Sequence, residues 1–182
     1  MKNDLFSIGP FTVHGYGLMI AIGVLSAYYM VEYRAKKKQM DWEKVFPLTV
    51  WSVLGGFLGS KILYLLTRLP DILANPALLG SSIKDGFVVY GGIIGGILTA
   101  WIYCKCTKWN FWKIFDIAMP AVAMAQGFGR IGCLLAGCCY GIELDPANPI
   151  GIVFHNSAYA PNDVALLPTQ IISSVLDFLH FF

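Results

Sequence analysis

Ile114-Phe115-Asp116-Ile117-Ala118-Met119-Pro120-Ala121-Val122-Ala123-Met124-Ala125-Gln126-Gly127-Phe128-Gly129-Arg130-Ile131-Gly132-Cys133-Leu134-Leu135-Ala136 is the stretch on which the fold turns. Its only strongly polar side chains are Asp116 near one end, Gln126 and Arg130. A helix of about 20 such residues, rising 1.5 Å per residue, crosses a hydrocarbon core of about 30 Å. A guanidinium inside such a span costs roughly 2.5–3.5 kcal/mol on the insertion scale. Something must offset that cost, and the glycines at 127, 129 and 132 remove bulk that would keep a partner away from Arg130. An anionic headgroup is the first partner to look for. The segment 126–141 is therefore the strongest functional pointer in the chain.

The rest of the sequence repeats the apolar pattern. Of the 182 residues, 57% are hydrophobic and 13% charged, against about 25% charged in soluble domains; the mean hydropathy is +0.63. Apolar stretches near 15–33, 45–66, 87–104, 114–136 and 168–182 predict an all-α, polytopic membrane protein of about five spans. Residues 1–182 read as a single transmembrane domain, with no soluble domain or low-complexity tract. Segment 1–13 is short, contains Pro10 and runs straight into the first span, so that span is expected to stay uncleaved. The fifth stretch has barely the length to cross before Phe182, so the chain is expected to be cut short or atypical there.

Charge sets an expected direction. Arg34, Lys36, Lys37, Lys38 and Lys44 follow the first span, and Lys105, Lys108 and Lys113 follow the third, eight of the 13 basic residues. By the positive-inside rule these loops face the cytoplasm. The N-terminus, with Lys2, then faces outward, as do Arg68 and Lys84 and the outer end of the span carrying Arg130. The loop 137–167, with Asp145-Pro146, Asn148-Pro149 and Pro161-Asn162-Asp163, reads as ordered turns on that same side. Trp42, Trp51, Trp109 and Trp112 fall near interfaces, where indole rings anchor spans.

Small residues recur at four-residue spacing: Gly55 with Gly59, Gly56 with Ser60, Gly91 with Gly95, Gly92 with Gly96. The plain reading is close helix packing, and the functional one is that such packing also shapes a lipid-sized cleft. In the fourth span Asp116, Ala123, Gln126 or Gly127, Arg130, Cys133 and Gly137 lie roughly on one face, a polar row that a purely lipid-facing helix would not carry. The alternative is a structural arginine held by a backbone carbonyl or a distant carboxylate. Lys61, one turn before Tyr64, either snorkels to the outer interface or joins Arg130 at a phosphate. Tyr16 in His14-Gly15-Tyr16-Gly17 and Tyr90 in Tyr90-Gly91-Gly92 offer hydroxyls to a phosphate or ester oxygen, although interfacial tyrosines are common.

Five cysteines, at 104, 106, 133, 138 and 139, form no zinc-type pair of pairs. Adjacent Cys138 and Cys139, with Cα atoms about 3.8 Å apart, are too close for an ordinary disulfide, which spans about 4.4–6.8 Å. His14, His155 and His180 belong to no Ser/His/Asp or His-Glu-x-x-His arrangement, and no nucleophile elbow or phosphate-binding loop is present. No metal, no cofactor and no nucleic-acid partner is expected.

The order of these motifs resembles one family, the prolipoprotein diacylglyceryl transferases of bacterial membranes. The resemblance runs from Ile8-Gly9-Pro10 and His14-Gly15-Tyr16-Gly17-Leu18-Met19 through Gly55-Gly56-Phe57-Leu58-Gly59 and Tyr90-Gly91-Gly92-Ile93-Ile94-Gly95-Gly96. It continues with Asp116-Ile117-Ala118-Met119-Pro120, Gly127-Phe128-Gly129-Arg130-Ile131-Gly132 and Leu167-Pro168-Thr169-Gln170. It implies transfer of the diacylglyceryl group of phosphatidylglycerol to the thiol of a prolipoprotein lipobox cysteine, at the outer side of the cytoplasmic membrane. By position, Arg130 resembles the arginine that engages phosphate and Tyr16 the tyrosine near the headgroup. The chain departs from the family pattern at Tyr90, usually a histidine, and at Cys133, Ala136 and Cys138 around Gly137, where two amides and a carboxylate are usual. Gly-Cys-Cys-Tyr-Gly at 137–141 looks like a branch of the family.

Arg130 and Tyr90 are thus the expected catalytic residues. Tyr16, Lys61, Gln126, Arg130, Cys133, Gly91 and Gly92 are the expected substrate contacts, with phosphatidylglycerol, membrane lipid and a prolipoprotein as partners. Two other classes stay open: a silent relative that binds anionic lipid or precursor without turnover, and a small transporter or thiol-redox protein.

Overall fold

A computed structural model describes residues 4–8, 11–75 and 86–181. Lys2, Gly9, Pro10, Lys84 and Phe182, which enter the sequence reading, lie outside the described residues. The chain opens with an antiparallel hairpin, β1 (Asp4–Ile8) and β2 (Phe11–His14), paired Phe6 to Val13 and Ile8 to Phe11. There follow α1 (Gly15–Lys37), a 3-10 turn (Trp42–Lys44), α2 (Val45–Thr67) and a short α3 (Leu69–Ala74). The longer α4 (Val89–Cys106) and α5 (Phe111–Ala136) come next, then β3 (Ile152–Val153), β4 (Ala165–Leu166) and α6 (Thr169–Phe181).

Among the described residues, four helical segments are long and apolar enough to cross a membrane: Gly15–Lys37, Trp42–Thr67, Val89–Cys106 and Phe111–Ala136. These match the first four expected spans within a few residues. The fifth stretch forms α6, whose 13 residues reach about 20 Å at 1.5 Å each, less than a hydrocarbon core. Large apolar side chains remain uncovered along α2 and α4, including Trp51, Phe57, Ile62, Ile94 and Trp101. Uncovered surface of this kind suits a lipid environment. The protein is a polytopic membrane protein.

The chain divides into two compact units, residues 35–115 and residues 1–34 with 116–182. In the first, α2 crosses α4 on bare backbone. A Cβ on Gly59 would fall onto the Gly91 carbonyl oxygen and 2.9 Å from the Gly95 Cα, and one on Gly95 would meet the Gly55 carbonyl. The four-residue glycine spacing is thus helix packing at close range. Thr99 hydroxyl donates to the Gly95 carbonyl at 2.7 Å, which satisfies its polar group beside the crossing. At one end of this unit the Lys44 ammonium lies 5.9 Å from the Trp109 ring, which brings the two basic loops together.

In the other unit α5 is the central element, and two of its rows do different work. Ala125, Phe128 and Gly132 receive α1: Gly23 packs on Ala125 and Phe128, and Gly132 lies between Tyr16 and Met19. Gly127 receives α6, with Phe178 filling the space a side chain would take and Ser174 Oγ donating to the Gly127 carbonyl at 3.0 Å. Phe128 and Phe178 meet edge to face at 5.2 Å. Residues 137–167 are more than turns. Strands β3 and β4 pair antiparallel, and Phe154, Ala160 and Leu166 form a small buried core against Leu134, Ile152 and Val164. Two-residue strands are too short to show an alternating pattern in sequence, so nothing in the amino-acid order announces them.

Candidate functional site

The site grows from the C-terminal end of α5. Gly137, at φ +72°, adopts the left-handed conformation that closes many helices. Its N–H donates to the Leu134 carbonyl at 3.2 Å, and the Cys138 N–H donates back to the Cys133 carbonyl at 3.0 Å. These two bonds make a Schellman cap. A side chain at 137 would be strained at this φ and would also force the Ser157 hydroxyl to move. The reversal carries Cys138 and Cys139 back over Cys133, and Cys139 is itself left-handed at φ +58°. The first turn of α6 then holds the hook: Thr169 Oγ1 donates to the Cys139 carbonyl and Gln170 Nε2 to the Cys138 carbonyl, each at 2.8 Å.

The result is a cluster of thiols. The Sγ atoms of Cys133, Cys138 and Cys139 lie within 4.8 Å of one another, and all five cysteines are free. Burial pushes the Cys138 thiol above its usual range, and the neighbouring Cys139 adds to the shift. The sequence reading expects no metal-ligand set and takes Cys133 as a substrate contact; the fold gathers three soft ligands at one point.

Arg130 lies elsewhere on the same helix. It lines a cleft of about 230 Å³ between α5 and α6, with Ile131, Leu134, Gln170, Ser174 and Phe178 among the walls. Its side chain is half-buried, and among the described residues it has no hydrogen-bond or ion-pair partner. The cleft is mostly apolar; Gln170 is fully buried, and among the described residues its Oε1 has no hydrogen-bond partner. Tyr16 packs on Gly132, about 200° around the helix from Arg130 at 100° per residue. Arg130 and the glycine that receives Tyr16 therefore lie on different faces of α5.

Gln126 does not pair with Arg130. Its Nε2 donates to Asp177 Oδ1 at 3.1 Å, and Asp177 Oδ2 is buried without a partner among the described residues. Sequence reasoning assigns no role to Gln170, Ser174 or Asp177. Their signal in the sequence is the polar set Gln170, Ser173, Ser174 and Asp177 within a largely apolar segment, with Gln170 also closing the motif Leu167-Pro168-Thr169-Gln170.

The remaining expected contacts belong to the other unit, residues 35–115. Lys61 Nζ donates to the Gly86 carbonyl at 3.1 Å and lies 4.6 Å from the Phe87 ring and 5.3 Å from that of Tyr64. Tyr90 is in the first turn of α4 and 74% exposed. Gly91 is buried against Gly59 and Leu63, and Gly92 faces Ser60, so both serve the α2–α4 crossing directly.

A family model described as prolipoprotein diacylglyceryl transferase matches residues 3–182. A phosphatidylglycerol–prolipoprotein diacylglyceryl transferase of Clostridium tetani is 45% identical over 183 residues, spanning 100% of this chain and 72% of that protein. Enzyme 2 of the same name from Clostridium perfringens is 43% identical, over 98% of this chain and 69% of its own length. A Dehalococcoides mccartyi relative of that name is 32% identical, over 91% and 63%.

Proposed function

Because the chain belongs to the prolipoprotein diacylglyceryl transferase family, we propose that it moves the diacylglyceryl group of phosphatidylglycerol to a prolipoprotein thiol. The acceptor is the lipobox cysteine of the precursor. The chain acts as one transmembrane domain in the bacterial cytoplasmic membrane, with its N-terminus and the end of α5 toward the outer face. The distribution of basic residues supports that direction.

One observation carries the reading. Arg130 presents a half-buried guanidinium, without a protein partner among the described residues, to an apolar cleft at the end of a membrane span. An amphiphile with an anionic head and acyl chains meets both requirements. The guanidinium binds phosphate oxygens bidentately, and Ile131, Leu134 and Phe178 receive hydrocarbon.

In the reaction a carbon–sulfur bond forms to the terminal glycerol carbon and the bond from that carbon to the phosphate oxygen breaks. The electron pair leaves with glycerol phosphate, and the thiol proton passes to a base. A free thiol has a pKa near 8.5, so only a few per cent is thiolate at neutral pH. Arg130 stabilises the charge that develops on the departing phosphate. By sequence position, Tyr90 is the residue proposed to orient the lipid or relay the proton, and Tyr16 a headgroup contact.

The test is direct. Purified protein is incubated with labelled phosphatidylglycerol and a lipobox peptide, and the peptide is analysed by mass spectrometry. A diacylglyceryl thioether is the expected product. Lipid or peptide binding with no product would make the chain a silent relative and remove the catalytic reading.

A further inference from the structure

The three thiols at the end of α5 have no part in the transfer step, and their convergence has its own chemistry. We propose that Cys133, Cys138 and Cys139 form a binding site for a thiophilic metal ion of the Zn²⁺ class. Their sulfurs lie within 4.8 Å of one another. A tetrahedral site with metal–sulfur bonds of about 2.3 Å holds its sulfurs about 3.8 Å apart. Closing the site thus takes side-chain shifts of about 1 Å or less at each sulfur, well within rotamer adjustment.

The backbone already supplies the harder part. The Schellman cap at Gly137 brings Cys138 over Cys133, the left-handed Cys139 continues the reversal, and α6 anchors both cysteine carbonyls. Disulfide formation fits this arrangement less well. Cys138 and Cys139 are adjacent, with Cα atoms about 3.8 Å apart, below the usual disulfide range. A bridge from Cys133 to either one leaves the third thiol unused in the same place. A three-thiolate site uses all three.

Binding releases three protons to water as three metal–sulfur bonds form, leaving a complex of charge −1 with a divalent ion. Cys133 and Cys138 are partly buried and Cys139 is exposed. The fourth position therefore opens on the Cys139 side, where water completes the tetrahedron. The site stands independently of the transferase reading.

The full chain, carrying a histidine-free affinity tag, is purified in detergent under anaerobic reducing conditions, stripped with chelator and titrated with Co²⁺. Thiolate-to-cobalt charge-transfer bands should saturate at about one equivalent and be bleached by Zn²⁺. Cys133→Ser, Cys138→Ser and Cys139→Ser should each weaken binding by at least about tenfold, while Cys106→Ser leaves it unchanged. Helical circular dichroism identifies any variant that has failed to fold, and the wild-type stoichiometry needs no variant. Absence of charge-transfer bands in the reduced wild type would overturn the site. So would bands that survive all three serine substitutions, or a Cys133 disulfide persisting in the reduced preparation.

Discussion

Gln170 donates its side-chain amide to the Cys138 carbonyl at 2.8 Å, across 32 residues of sequence. The bond ties the first turn of α6 to the reversal that ends α5, and Gln170 is completely buried while making it. It therefore fixes the relation between the Arg130 cleft, which Gln170 also lines, and the thiol hook. A Gln170→Leu variant keeps most of the volume and leaves the carbonyl unanswered, at a cost of about 1–3 kcal/mol. The expected outcome is a lowered thermal midpoint in detergent, with helix content unchanged at low temperature. An unshifted midpoint would show that the bond does not hold the hook.

Arg130→Gln should abolish thioether formation, since the uncharged amide neither neutralises phosphate nor pairs with it bidentately. Removal of one preorganised charge-stabilising donor typically lowers turnover by about 10²–10³-fold. Arg130→Lys retains the charge without the fork and should fall between the two. Turnover is read from the labelled lipid assay; near-native rates in the glutamine variant would exclude Arg130 from the mechanism.

Glycine substitutions separate packing from permissive positions. Gly59→Ala should destabilise the α2–α4 crossing, because its Cβ lands on backbone atoms of Gly91 and Gly95 that cannot move aside. Gly129→Ala meets nothing within 4 Å and should be neutral or stabilising by up to about 1 kcal/mol. Limited proteolysis and thermal midpoints compare the two, and equal behaviour would contradict close backbone packing at the crossing.

Tyr90→Phe removes one exposed hydroxyl and no packing. If that hydroxyl orients lipid or relays the proton, transfer should slow by about 10²-fold while phosphatidylglycerol binding is kept. Unchanged turnover would return Tyr90 to the role of an interfacial anchor.

The spans are legible in the sequence because transfer of a helix into hydrocarbon depends on local, nearly additive residue contributions. The glycine spacing at 55, 59, 91 and 95 is legible for a similar reason, since helical periodicity alone puts those positions on one face. Arg130 stands out because an intramembrane charge is costly wherever it sits. The thiol cluster is not legible in the same way. Its members sit in an unremarkable spacing, and only the left-handed turns at Gly137 and Cys139 bring the sulfurs together. The partner of Gln126 is likewise out of reach, because Asp177 is 51 residues away and helical periodicity favours Arg130.

The amino-acid order by itself determined a membrane protein of apolar helices, with one guanidinium set among glycines near the end of a span. Tertiary structure alone decided what surrounds it: which row of α5 meets α1, which meets α6, and where three cysteines converge. The physical reason is range. Hydropathy and helical period act over a few neighbouring residues, whereas a cleft wall, a cap anchored from another helix and a set of facing sulfurs exist only once distant segments pack.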